Sequence, residues 1–105
     1  MKSALITGCS KGGIGDALAQ EFHKHNVRVF ASARNMGKVE HLKVLGIEVL
    51  QLDVLSPESI QMAAAEVLKV TGGELDFLVK NAGGGEPCVY FCHSGRAYRS
   101  ILTDV

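Results

Sequence analysis

The segment Thr7-Gly8-Cys9-Ser10-Lys11-Gly12-Gly13-Ile14-Gly15 is the stretch of this chain that decides its fold. It follows a short apolar run, Ala4-Leu5-Ile6, and leads into a helical pattern whose apolar residues share one face: Ile14, Ala17, Leu18 and Phe22. A strand, a glycine turn and a helix in this order can bind a nucleotide pyrophosphate, because the first N–H groups of a helix have no partner within it. Glycine allows positive φ in the turn and lets a phosphate approach the backbone. The segment predicts a nucleotide-binding loop, although a glycine turn without a ligand has the same composition.

The spacing of the glycines separates this loop from two common phosphate-binding motifs. A P-loop carries Lys and then Ser or Thr after its last glycine, whereas Ile14 follows Gly13, and the six-residue Rossmann fingerprint is absent. The segment instead resembles the Thr-Gly-x-x-x-Gly-x-Gly motif of short-chain dehydrogenases/reductases, with one extra residue after Gly8. This longer form is similar to that of fungal NADPH-dependent 1-acyl-dihydroxyacetone-phosphate reductases within the family.

Composition limits the class of protein. The chain has 105 residues, a formal net charge of zero and three cysteines. A neutral chain has no global field to attract nucleic acid or an anionic membrane. No apolar run approaches the roughly 20 residues of a membrane span. An odd number of cysteines argues against a secreted disulfide framework. We therefore expect a cytoplasmic protein without a nucleic-acid partner.

Strand and helix patterns alternate along the chain. Four strands are predicted, at Ala4–Thr7, Val27–Ala33, Ile47–Leu52 and Leu75–Val79. Three helices are predicted between them: from about Gly15 to His25, from an Asn35 cap to about Leu45, and from Ser56-Pro57-Glu58 to Gly72-Gly73. This alternation predicts an α/β, Rossmann-like, doubly wound parallel sheet with strand order 3-2-1-4. It corresponds to a truncated, N-terminal half of such a domain.

Arg34 follows the second strand, at the place where the adenosine ribose of a dinucleotide is recognised. An acid there would accept from the free 2′-hydroxyl of NAD, but the segment Val27–Met36 contains no Asp or Glu. A guanidinium suits a 2′-phosphate, which it can grip with paired hydrogen bonds. Lys11 in the glycine turn is a candidate second cation. The pattern favours NADP(H), unless both cations are simply solvated.

The resemblance to the family implies further contacts with the dinucleotide. Asp53 and Val54, after the third strand, would lie against the adenine; an Asp there is equally consistent with a turn that bonds its own backbone. Asn81-Ala82-Gly83 resembles the family's Asn-Asn-Ala-Gly, with Lys80 in place of the first Asn. The expected cofactor-binding residues are Gly8, Ser10, Lys11, Gly13, Ile14, Gly15, Arg34, Asp53, Val54, Asn81, Ala82 and Gly83.

The family's catalytic Tyr-x-x-x-Lys pair is missing from these residues. Tyr90 and Tyr98 are followed four positions later by Ser94 and Leu102, and no lysine follows Lys80. No catalytic residue is therefore assigned. Residues 1–84 are expected to form the dinucleotide-binding half-domain, and residues 85–105 a divergent tail in which Cys88–Cys92 can form a short strand. Cys88, Cys92 and His93 lack a fourth ligand, so no metal site is expected.

The sequence supports a cofactor-binding part of an NADPH-dependent reductase that is inactive alone. In the family, NADPH delivers a hydride to a carbonyl, and the resemblance makes an acyl-dihydroxyacetone phosphate a candidate substrate. The alternatives are a non-catalytic module that binds or senses NADP, and a truncated gene product. A sheet that stops after its fourth strand would leave that strand as an exposed edge, so self-association through it is expected.

Overall fold

Four short parallel strands form the centre of the fold. A computed structural model describes residues 2–81 and the backbone of Cys88–Phe91. The strands are β1 Ser3–Ile6, β2 Arg28–Ala33, β3 Glu48–Gln51, β4 Phe77–Lys80 and β5 Cys88–Phe91. Their order across the sheet is β3-β2-β1-β4-β5, and all pairs except β4–β5 are parallel. The predicted order 3-2-1-4 is confirmed.

The helices lie between the strands along the chain. They are α1 Ile14–Lys24, α2 Glu40–Val44 and α3 Pro57–Thr71. The ends of α3 follow the sequence signals closely: the Ser56 hydroxyl accepts a hydrogen bond from the Ser59 amide, and Gly72 closes the helix with φ +71°. A left-handed residue follows α1, since Asn26 has φ +62°.

The sheet is packed by helices on both faces. On one face, Ile6 and Ala31 contact a cluster that includes Ala19 of α1 and Leu42 of α2. On the other face, Leu5 and Phe30 contact Ala64 and Val67 of α3, and the outermost members of both clusters are only partly buried. Successive residues of a strand point to opposite faces, so apolar residues on both faces of β1 and β2 are what a doubly wound sheet requires.

The fourth strand is not the edge of the sheet. Residues Phe77–Lys80 pair in antiparallel register with Cys88–Phe91, Phe77 opposite Phe91 and Lys80 opposite Cys88. Leu78 and Val79 are fully buried. The expectation that β4 is an exposed edge is therefore wrong, because Cys88–Phe91 pairs with this strand. Whether the chain self-associates remains a prediction.

Two helical predictions are corrected. Leu18 and Phe22 of α1 pack against the core as predicted, but Ile14 is 60% exposed and Ala17 is exposed. The buried residues of this helix are Gly15, Asp16 and Ala19. The helix expected from Asn35 to Leu45 is interrupted: a 3₁₀ turn at Met36–Lys38 precedes the five-residue α2. Among the helices of the described residues, none has the length and apolar character needed to cross a bilayer.

Candidate dinucleotide-binding site

The glycine loop joins β1 to α1 at the carboxyl edge of the sheet. Gly8 and Gly12 have φ values of +70° and +86°, which disfavour any residue with a side chain. The Cys9 amide donates to the Ser32 carbonyl at 2.8 Å, and this bond fastens the loop to β2. Gly13 is the N-cap of α1 and no side chain caps the helix. The positive end of α1 is thus left open toward the loop.

Gly15 is required by the packing of the protein itself. A Cβ at this position would collide with the Gly8 carbonyl and would lie 2.8 Å from Asn81 Nδ2. Asn81 Nδ2 donates to the Gly8 carbonyl at 2.9 Å, and the backbone amide of Asn81 donates to Thr7 Oγ1 at 3.0 Å. Asn81 therefore joins the end of β4 to the glycine loop. The sequence argument that Gly15 serves ligand approach alone is incomplete, because α1, the loop and Asn81 meet there.

Gly13 is less tightly surrounded. A Cβ added to it would lie 3.3 Å from the Ser10 carbonyl, which accepts from the Gly13 amide at 3.1 Å. Its φ of −93° is open to any residue. The backbone conformation at Gly13 thus does not require glycine. Because Gly13 has no side chain, the start of α1 is accessible.

A cavity of about 390 Å³ opens beside the loop, where β1, β2 and β3 end. Its lining residues are Gly8, Ser10, Ala33, Arg34, Asn35, Lys38, Leu52, Asp53, Val54 and Leu55. The tertiary structure thus brings together five of the predicted site residues from three separate loops. Lys11, Gly13, Ile14, Gly15 and Asn81 do not line this cavity, and Ala82 and Gly83 lie outside the described residues.

Two cations reach the cavity. Arg34 is exposed, and its carbonyl accepts from Gln51 Nε2 at 3.2 Å, which connects the end of β2 to β3. Lys38 is the second cation, although sequence reasoning selected Lys11. Asn35 explains the difference, because its Oδ1 accepts from the Gly37 amide at 2.9 Å and starts the 3₁₀ turn that carries Lys38. The segment Asn35-Met36-Gly37-Lys38 after Arg34 is the sequence signal that could have identified it.

Asp53 serves a local turn and also lines the cavity. Its Oδ1 accepts from the Leu55 amide at 3.0 Å, and its own amide donates to Ser59 Oγ at 2.8 Å. The turn interpretation of Asp53 is therefore confirmed, and its contact with the adenine stays a prediction. The turn holds the carboxylate at the cavity wall next to Val54.

Asp16 and His41 form a buried polar contact that sequence reasoning missed. His41 Nε2 lies 2.7 Å from Asp16 Oδ1, and the two side chains are 25% and 10% exposed. His41 lies on the side of α2 that contacts α1. Burial alone would raise the pKa of the Asp16 carboxyl, but hydrogen bonds from Gly12, Gln20 and His41 outweigh it and lower that pKa.

Cys9 carries the thiol of the glycine loop, and it is fully buried. Its thiol donates to the Ile6 carbonyl at 3.2 Å, and burial raises the pKa of the Cys9 thiol to about 12. The reactive form of a cysteine is the thiolate, so this side chain is inert at neutral pH. Cys9 contributes to the core beneath the loop.

Comparison with known proteins gives consistent matches. The family model described as short chain dehydrogenase matches residues 2–99. A short-chain dehydrogenase of Talaromyces islandicus is 51% identical over 84 residues, covering 79% of this chain and 30% of that protein. An NADPH-dependent 1-acyldihydroxyacetone phosphate reductase of Schizosaccharomyces pombe is 45% identical over 87 residues, covering 83% and 29% respectively.

Solved structures agree with these relatives. An NADPH-bound carbonyl reductase from chicken fatty liver matches with a TM-score of 0.69 at 31% identity, covering 82% of this chain and 36% of that one. The chain therefore spans about 30% of the length of the curated relatives that it matches.

Proposed function

Because the chain belongs to the short-chain dehydrogenase family, we propose that its glycine loop and the adjoining cavity bind NADP(H). The NADPH dependence of the Schizosaccharomyces pombe relative and the NADPH held by the carbonyl reductase support this cofactor. The pyrophosphate would lie at the start of α1, and the adenosine half in the cavity. The residues we assign to the cofactor are Gly8, Ser10, Lys11, Gly13, Ile14, Gly15, Arg34, Lys38, Asp53, Val54, Asn81, Ala82 and Gly83.

The loop geometry fits a pyrophosphate. No side chain caps α1, so the N–H groups of its first turn are open to an anion, and Gly13 presents no side chain in front of them. The helix dipole adds partial positive charge at the same place. The phosphate oxygens would replace the missing cap.

The observation that carries the proposal is the pair of cations, Arg34 and Lys38, on the cavity wall. Among the residues that the structure describes, Asp53 is the only carboxylate on that wall, and its Oδ1 already accepts from the Leu55 amide. A wall with two cations and no acid directed to the ribose suits a 2′-phosphate better than a free 2′-hydroxyl. NADP(H) is thus favoured over NAD(H).

The family's reaction defines the activity of the whole protein that we propose. When bound, NADPH supplies a hydride to a carbonyl carbon. An acyl-dihydroxyacetone phosphate is a candidate substrate, because the Schizosaccharomyces pombe relative reduces that class. These 105 residues contain no Tyr-x-x-x-Lys pair. We infer that they hold the cofactor without turning it over.

Titration with NADPH and NADH tests the cofactor assignment. Arg34→Ala should weaken NADPH binding by about 1.5–3 kcal/mol, the contribution of a hydrogen bond to a charged group, and leave NADH binding nearly unchanged. Lys69→Ala is the matched control, since Lys69 lies in the last turn of α3 and lines no part of the cavity. Equal losses for the two cofactors would reject the role of Arg34.

A turnover assay tests whether the chain is inactive alone, and the sequence of the transcript separates a reductase part from a module that only binds or senses NADP. The isolated chain should not oxidise NADPH with any carbonyl substrate. Sequencing of the transcript beyond the codon for Val105 then distinguishes the two. A downstream Tyr-x-x-x-Lys supports the reductase, and its absence supports the binding module.

A further inference from the structure

The Asp16 carboxylate receives three hydrogen bonds from three parts of the fold. Its Oδ2 accepts from the Gly12 amide at 3.0 Å, within the glycine loop. Its Oδ1 accepts from Gln20 Nε2 at 2.9 Å, one turn further along α1, and contacts His41 Nε2 of α2 at 2.7 Å. Asp16 is only 7% exposed. The carboxylate thereby connects the glycine loop, α1 and α2.

Buried residues hold α2 against the core. His41 lies between Val39 and Leu42, and both of these residues are fully buried against the sheet. A second bond runs parallel to the first, because the Lys11 amide donates to the Lys38 carbonyl at 3.0 Å. The segment Lys11–Gly12 is thus attached at two points to the chain segment that follows β2.

The attached loop segment is the part that needs such support. Gly12 adopts φ +86°, and a Cβ there would meet no described atom within 4 Å, so the space beside this residue is open. A flexible glycine segment loses conformational entropy when it is ordered around a ligand. A loop that is already ordered binds more tightly for that reason.

We propose that Asp16 and His41 are positioning residues that hold the glycine loop in the conformation that receives the pyrophosphate. The inference rests on the proposed function, because the pyrophosphate is that of NADP(H). His41 has two tasks in this arrangement. It fixes the direction of the Asp16 carboxylate toward Gly12, and it donates to a negative charge that would otherwise repel the pyrophosphate from the first turn of α1.

Substitutions at His41 distinguish positioning from general stability. His41→Gln keeps a donor at the distance of Nε2, whereas His41→Asn carries the same amide one methylene shorter and His41→Leu has no donor. Each variant of the 105-residue chain is titrated with NADPH and, separately, with adenosine 2′-phosphate, which lacks the pyrophosphate. Hydrogen exchange at the Gly12 amide reports the loop directly.

We expect the Leu and Asn variants to bind NADPH about tenfold more weakly, and the Gln variant to recover most of that loss. Binding of adenosine 2′-phosphate should not change in any variant. Exchange at Gly12 should be faster in the Leu and Asn variants than in the Gln variant. If either the Leu or the Asn variant does not fold, the other makes the same comparison with Gln.

Two results would overturn this inference and leave the proposed function standing. The Leu and Asn variants could bind NADPH as tightly as the original chain, or they could lose equal affinity for NADPH and for adenosine 2′-phosphate. The same holds if the Gln variant is as weak as the Leu variant. Failure of the original chain to bind NADPH would instead overturn the proposed function, and this inference with it.

Discussion

At the scale of single residues, neighbouring glycines of the loop have different physical roles. Gly12 is needed for its positive φ, whereas Gly15 is needed because a side chain would enter the space occupied by the Gly8 carbonyl and Asn81. Gly13 meets neither constraint and faces the open start of α1. Substitutions at these positions should therefore separate stability from cofactor binding.

Gly15→Ala should destabilise the chain by about 1–3 kcal/mol, the usual cost of overpacking. The added Cβ must displace backbone, which cannot move as a flexible side chain can. Gly13→Ala is the comparison and should lower the free energy of unfolding by less than about 1 kcal/mol, as an N-cap change does, while weakening NADPH. Urea unfolding measures both. Equal midpoints for the two variants would contradict the packing role of Gly15.

Because of Asp16, the free energy of unfolding should depend on pH in the acidic range. Its pKa is lowered below 3.8 in the folded chain, so the unfolded chain binds the proton at higher pH. The stabilisation is then fully present above the unfolded pKa, about 3.9, and is lost as pH falls through the folded pKa. Asp16→Asn should flatten this part of the profile. Unfolding at several pH values measures it, with Glu66→Gln, which removes an exposed carboxylate, as the control.

At the scale of elements, α3 and α2 show how local signals succeed and fail. The boundaries of α3 come from Ser56, Pro57 and Gly72, whose preferences act within one turn of the chain. The interruption before α2 arises because Asn35 caps a 3₁₀ turn, after which Val39 adopts φ −122° and ψ 8°. Burial of both Val39 and Leu42 against the sheet sets the new helix direction.

Ser56→Ala should destabilise the chain by about 1 kcal/mol, because the Ser59 amide loses its acceptor. Ser56→Asp keeps an acceptor at the same place and should retain the stability. Chemical denaturation followed by circular dichroism gives the difference. If the Ala and Asp variants unfold at the same denaturant concentration, the cap contributes nothing measurable to this helix.

At the scale of the whole molecule, the core consists of one small sheet packed between helices. A domain of this size buries a modest fraction of its surface, and large apolar side chains remain exposed in the described part: Ile14, Val44, Leu45, Leu55, Met62 and Val70. The strand that pairs with β4 has four residues. These features are typical of a marginally stable chain.

We therefore expect the isolated chain to self-associate or to melt at low temperature. Saturating NADPH should stabilise it by a few kcal/mol at most, as mass action allows for a ligand well above its Kd. Sedimentation velocity and thermal melting with and without NADPH provide the measurement. A monodisperse monomer that melts cooperatively above about 60 °C would show that this expectation is wrong.

Local signals in the sequence determined most of the fold. The alternation of strands and helices predicted the order 3-2-1-4, and the segment Thr7–Gly15 identified the family. Arg34 was selected because residues that follow parallel strands converge at one edge of a sheet. Asp53 and Val54 were selected from the resemblance to the family, and all three residues line the cavity. Such rules need only periodicity and position.

The tertiary structure alone decided the features that depend on contacts between distant segments. The contact between Asp16 and His41 spans 25 positions, and the bond between Asn81 and Gly8 spans 73. Lys38 reaches the cavity because a 3₁₀ turn replaces a helix, and Cys88–Phe91 pairs with β4 although no helix pattern leads into it. Hydrogen bonding across the fold is fixed by packing geometry, which residue patterns along one segment do not encode.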